Sequence, residues 1–242
     1  AGDDLANDPF VQSALRGQPA SGFAILASER LEREGGDLAQ RAFFAFEPTP
    51  KAKPRPQQSE SAGMVHISCA PVRSRGGVIT GALYAGKLLN RDHVLVDRIR
   101  STVFKDELYR DRPMGAVTIF QWDVRIATNV LTANGNRAIG TRVSAEVYDQ
   151  VLENDRSWYD RAFVVNDWYL TAYDPIRDLH GKVIGILYVG VLESPYVDIR
   201  RELWRLYFGL SLLAAVAVLA VGLVFAGRLT RSLAQVAHAA SR

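Results

Sequence analysis

Between Arg156 and Tyr173 the run RSWYDRAFVVNDWYLTAY places two tryptophans, three tyrosines and two arginines within eighteen residues. These residue types suit recognition. An arginine presents a planar fork of donors that matches a carboxylate, an aspartate pairs with an amine, and aromatic rings supply wall area with polar tips that orient a guest. RAFVV and WYLTAY read as two strands joined by Asn166-Asp167 as a two-residue hairpin turn, with Val165 opposite Trp168. Alternation then puts Trp158, Ala162, Val164, Tyr169, Thr171 and Tyr173 on one face, and Tyr159, Arg161, Phe163, Val165, Trp168 and Leu170 on the other. Both faces are aromatic. One has to pack on the rest of the fold and the other is available to wall a cavity. The candidate ligand-binding residues are therefore Arg156, Trp158, Tyr159, Arg161, Tyr169, Tyr173 and Asp174, and the alternative is that the aromatics among them are ordinary core.

No comparable constellation marks a catalytic site. G-x-S-x-G, a Walker loop and H-E-x-x-H are missing, and His66, His93, His180 and His238 are scattered without ligand spacing, so no catalytic residue, metal or other cofactor is expected. A hydrolase working through Asp160 and Asp174 is the enzymatic alternative, although both read as ordinary polar strand residues. Cys69, the single cysteine, cannot form an internal disulfide, and in the apolar run MVHISCAPV it reads as a small buried residue. The 29 basic and 26 acidic residues leave a net charge of +3 with no basic patch, so no nucleic-acid partner is expected.

The elements that must position the aromatic stretch follow a repeat. Residues 71–86 (PVRSRGGVITGALYAG) and 175–190 (PIRDLHGKVIGILYVG) agree at seven of sixteen positions without a gap: Pro71/Pro175, Arg73/Arg177, Gly77/Gly181, Gly81/Gly185, Leu83/Leu187, Tyr84/Tyr188 and Gly86/Gly190. Each copy reads as a strand, a Gly turn and a second strand leading into a helix. In the first half, Asp8 caps and Pro9 opens a short helix ending at Gly17, and SGFAILAS follows as a strand. Residues 47–60 carry four prolines and read as an extended solvent loop. In the second half, AVTIFQWDVRIATNV is a pair of strands broken near Asp123, Asn134-Gly135 is a turn, and Ser144 caps a helix with Val147, Val151 and Leu152 on one face.

Residues 206–227 contain no charged side chain and lie between Arg205 and Arg228, the length and flanks of a transmembrane helix. Trp204, Tyr207 and Phe225 fall where interfacial aromatics sit. The chain opens AGDDLANDPF, without a signal peptide, so an earlier membrane helix is expected to precede it. Basic residues balance on the two sides of the span and do not set its orientation.

The repeated G-x-V-I-G-x-L-Y-x-G run, the RSWYDRA segment and WYLTAYDPIRD ahead of a span resemble the double Cache sensor domains of bacterial receptors, nearest in type to the Cache 3/Cache 2 fusion. The resemblance implies an α+β fold of two tandem PAS-like modules with antiparallel sheets, followed by one transmembrane helix. The corresponding divisions are a membrane-distal module over 1–104, a membrane-proximal one over 105–203, the span over 204–228 and the start of a HAMP-like linker over 229–242. It also implies extracytoplasmic (periplasmic) sensing of an amino acid, amine or carboxylate at the bacterial inner membrane, as the input of a histidine kinase or chemoreceptor, with homodimerisation. Arg156, Trp158, Tyr159 and Ala162 match the R-x-W-Y-x-x-A pattern of the amino-acid-binding branch, in which the first two would hold a ligand carboxylate. The alternatives are a receptor module that dimerises without binding anything and a membrane-anchored enzyme.

Overall fold

The structure, a computed structural model, describes residues 5–165 and 167–240. Through Leu192 they form one compact unit, and Glu193 opens a second. Asp8 accepts hydrogen bonds from the amides of Phe10 and Val11 at 2.9 and 3.3 Å, and Pro9 supplies the first helical φ, so α1 (Pro9–Leu15) starts there. Gly17, at φ +88°, turns the chain into β1 (Ala20–Leu26). After α2 (Ser28–Glu34) and α3 (Leu38–Ala42), a two-residue pair, β2 (Phe44–Ala45) and β3 (Ser59–Glu60), closes the neck of the proline-rich segment. β4 (Gly63–Arg73) and β5 (Ile79–Leu88) form a hairpin with β1 along the other edge of β4, and α4 (His93–Phe104) follows with Asp92 as its N-cap.

The small pair β6 (Leu108–Tyr109) and β7 (Arg112–Pro113) leads to β8 (Gly115–Gln121) and β9 (Val124–Thr128). Ser144 caps one turn of α5 (Ala145–Val147), which widens into a π-helix over Tyr148–Glu153. The sequence predicts a plain α-helix here; the wider turns keep Tyr148, Val151 and Leu152 together against the sheet. β10 (Trp158–Val164), β11 (Asp167–Arg177) and β12 (Val183–Leu192) complete a second antiparallel sheet in the order β10-β11-β12-β8-β9.

The repeat is a structural one. The bounds of β11 and β12 are those of β4 and β5 moved 104 residues along the chain. Both hairpins slip register at the same place, between Val72 and Arg73 and between Ile176 and Arg177. Both turns rest on a glycine in the left-handed region, Gly77 at φ +83° and Gly181 at φ +84°. Their surroundings differ, because β8 pairs with β12 whereas among the described residues no strand pairs with the matching edge of β5.

Every residue of β8 and β9 is buried. One face supplies Phe120 to a core with Tyr173, Ile186 and Tyr188, and the other supplies Val117, Ile119, Val124 and Ile126 to a core shared with Phe44, Met64 and Val96 of the first half. Burial on both faces explains why the sequence there is almost continuously apolar. Buried Asn90 fixes the junction: it accepts from the Met64 amide at 2.9 Å and donates to the Ala42 carbonyl and to Gln121, whose own amide donates to the Ala62 carbonyl at 3.0 Å.

The proline-rich segment is not the solvent loop that its composition suggests. It runs across the second half as a strap. Glu47 donates its amide to the Gly140 carbonyl, the Arg142 amide donates to Thr49 Oγ1, and the Ala145 amide donates to the Lys51 carbonyl. Lys53 Nζ binds Asp149 and Glu153 at 2.8 and 2.6 Å, and Arg55 Nη1 binds Asp123 at 2.8 Å. These partners lie far along the chain, and so no local pattern announces them.

β12 passes through Glu193 into α6 (Ser194–Ala240). Residues Ser194–Leu223 of α6 are long and apolar enough to cross a membrane, and the most apolar part of that stretch has no buried residue. Apolar side chains such as Leu206, Phe208, Leu213, Val218 and Leu223 are exposed around the helix.

Candidate functional site

β10 is an edge strand, so the buried face of the second sheet opens sideways beside it. The strap residues Pro48–Lys51 and the 141–147 segment close over that opening and leave a cavity of about 470 Å³. Its walls include Phe120, Val147, Trp158, Val164 and Tyr173, and its rim carries Lys51, Glu146, Asp160 and Arg161. Trp158 meets Tyr173 edge-on at 5.5 Å between ring centroids, and Tyr173 packs on Tyr188 at 4.8 Å. Burial pushes the Tyr173 phenol up to about 12, with Arg125 opposing, so at neutral pH it is a neutral hydroxyl able to donate.

The hairpin register differs from the expected one. Phe163 faces Trp168 and Val164 faces Asp167, so Val165, at φ +58°, enters the turn; Asn166 lies outside the described residues. The slip is one residue in each strand, which preserves parity, and the two expected faces are the observed ones. The candidate residues therefore divide. Trp158 and Tyr173 line the cavity, and Tyr169 is half-buried on the same face, its phenol pKa raised by burial. Tyr159 and Asp174 lie on the outer face, where the Tyr159 hydroxyl donates to Asp174 at 3.3 Å and Ser157 binds the same carboxylate oxygen. Arg161 sits at the cavity mouth with its guanidinium 4.2 Å above the Trp168 ring. Arg156 is exposed and is not part of the cavity wall.

The sequence reading passes over Arg125. It stands on β9, 5 % exposed, with its guanidinium 5.1 Å from the Phe120 ring and its Nη1 donating to Thr141 Oγ1 at 2.6 Å, and it lines the cavity. The signal for it is plain: a charged side chain in the middle of an apolar strand pair.

A larger cleft of about 670 Å³ lies on the other side of the strap, between Lys53, Arg55, Trp122, Arg142, Tyr148 and Lys182. Its cations are already engaged. Lys53 holds Asp149 and Glu153, Arg55 and Arg142 share Asp123, and Lys182 lies over the Trp122 ring at 5.5 Å. The smaller cavity has more aromatic walls, and among the described residues no ion pair engages its buried cation, Arg125.

Residues 87–203 match the family model described as single cache domain 3, a stretch that begins just before α4 and covers slightly less than half of the chain. No curated protein matches the chain. The match supports a Cache sensor domain over those residues, and Cache domains in general serve extracellular sensing in receptors and bind small molecules.

Proposed function

We propose that the chain is the input part of a bacterial transmembrane receptor, in which the unit through Leu192 binds a small molecule outside the cytoplasm and α6 crosses the inner membrane. In this reading residues 229–242 open a HAMP-like relay, the receptor works as a homodimer, and the output is that of a histidine kinase or chemoreceptor. The observation that carries it is the connection of site to helix: the cavity lies on a sheet whose strand β12 runs through a single residue into α6. A ligand biases such a device only through its differential affinity for two states, about 1.4 kcal/mol for each tenfold change in population. The rival reading, a module that dimerises without a ligand, draws on the outer face of β10 and β11, where Tyr159 and Phe163 are 68 % and 58 % exposed.

Thermal unfolding of the full chain in detergent, screened against amino acids, amines and carboxylates, separates the two. A ligand at a hundredfold excess over its Kd adds about 2.7 kcal/mol, which raises Tm by roughly 5–10 °C for a unit of this size. Trp158→Ala should abolish the response and Arg156→Ala should keep it, because only the first removes a cavity wall. A response indifferent to Trp158→Ala would move the ligand elsewhere, and no response in any class would favour the dimerisation module.

A further inference from the structure

β5 is an edge strand that its own sequence does not blunt. The run ITGALYAGKL has no proline and a single charge, Lys87, and the register slip beside it lies at the turn end. Long sheet edges are ordinarily protected by charges, proline or a bulge, because their free N–H and C=O groups template another strand. The Leu89 amide bonds the Met64 carbonyl at 2.8 Å, so the odd-numbered residues of β5 bond β4, and Thr80, Ala82, Tyr84 and Gly86 aim their backbone groups the other way. Among the described residues those groups have no backbone partner.

The repeat shows what such an edge takes. On β12 the Ile184 carbonyl, in the place of Thr80, accepts from the Trp122 amide at 2.9 Å, the Leu192 amide donates to the Met114 carbonyl at 2.8 Å, and β8 pairs antiparallel between them. Leu187 packs against the core that β8 and β9 share with the first half, whereas its counterpart Leu83 is 68 % exposed. The matching occupant of the β5 edge is an antiparallel strand that brings an apolar residue to Leu83, and β5 itself meets that requirement. A two-fold axis at Leu83 sets Ala82 against Tyr84 and Thr80 against Gly86 of a second copy, which joins the free backbone groups of both. The two Leu83 side chains then meet in a non-hydrogen-bonded pair, about 4.5 Å apart at Cα. Lys87 falls opposite Ile79, so no like charges meet, and a Cβ on Gly81 would find open space on the side the second strand enters. Resting on the reading of the receptor as a homodimer, we infer that two copies join edge to edge through β5 and make one continuous sheet of their first halves. A single strand pair buries less than the roughly 1,200 Å² of a stable interface. The pairing therefore belongs to chains held in one membrane by α6, where tethering raises the effective concentration.

The test is cysteine cross-linking of the full chain in lipid vesicles under brief copper-catalysed oxidation, with the parent, whose Cys69 is buried, as the blank. Leu83→Cys should form a disulfide-linked dimer at least tenfold faster than Val103→Cys, a position on α4 that is 57 % exposed, because the paired Leu83 positions lie within disulfide reach. Gly81→Cys and Ala85→Cys face each other across the axis and stand about 13 Å from their own copies, so they should link when mixed and not when alone. Leu83→Cys that links no faster than Val103→Cys, or Gly81→Cys that links alone as well as in the mixture, overturns the inference. If a lysine-reactive cross-linker still joins the chain into dimers after that failure, the homodimer stands and the β5 edge is free or takes a strand of another protein. Absence of dimers by both routes overturns the homodimer as well.

Discussion

Gly185→Ala should lower the stability of the full chain by about 3 kcal/mol or more, seen as a fall in Tm of roughly 6–12 °C, while Gly81→Ala stays within about 0.5 kcal/mol of the parent. The two glycines occupy the same place in the two copies of the repeat. A Cβ on Gly185 would stand 2.2 Å from the Phe120 carbonyl oxygen and 2.5 Å from Met64 Cε. The methionine end is free to move, but the carbonyl belongs to β8 inside a paired sheet and has nowhere to go. A Cβ on Gly81 meets nothing within 4 Å, because no described strand pairs along that side of β5. The pair is its own control for position in the hairpin, since register and turn geometry are shared while the neighbouring strand differs. Equal effects of the two substitutions would mean that β8 does not lie against β12.

Asp123→Ala should cost about 3–5 kcal/mol, the range for removing one member of a buried ionic cluster. The Asp123 side chain is 2 % exposed and serves two arginines: Oδ1 accepts from Arg55 at 2.8 Å and Oδ2 from Arg142 at 2.7 and 2.6 Å. Deleting it strands both cations and unfastens the strap that walls the cavity. Arg55→Ala is the milder change, because Arg142 keeps its carboxylate and Arg55 is itself partly exposed. Urea unfolding of the two variants beside the parent measures the difference, and equal losses would show that the cluster is not centred on Asp123.

What the sequence discloses here is what depends on local period. The 104-residue repeat, the caps at Asp8 and Ser144, the Asn134-Gly135 turn and the parity of the β10–β11 faces are written in short-range pattern, and the structure follows them. The hairpin register is one residue off per strand because Val165, a β-branched residue ordinarily averse to positive φ, takes a turn position that Asn166-Asp167 looked better suited to fill. The strap is illegible for a different reason. Proline-rich composition specifies an extended backbone but not what it lies against, and Lys53 finds Glu153 a hundred residues away. The candidate cavity is partly legible: the density of aromatics points to Trp158 and Tyr173, which line it, whereas the R-x-W-Y-x-x-A likeness points to Arg156, which is exposed and outside it, and nothing local points to Arg125, which reaches it because β9 pairs beside β8.

The central claim is that occupation of the cavity is felt by α6. Hydrogen–deuterium exchange on the full chain in lipid nanodiscs tests it most directly, with and without a compound whose stabilising effect Trp158→Ala removes. Slower exchange is predicted in β10 and β11, in the 141–153 segment, and also from Val183 through the first turns of α6. Binding that protects the cavity walls but leaves β12 and residues 194–205 unchanged would contradict it.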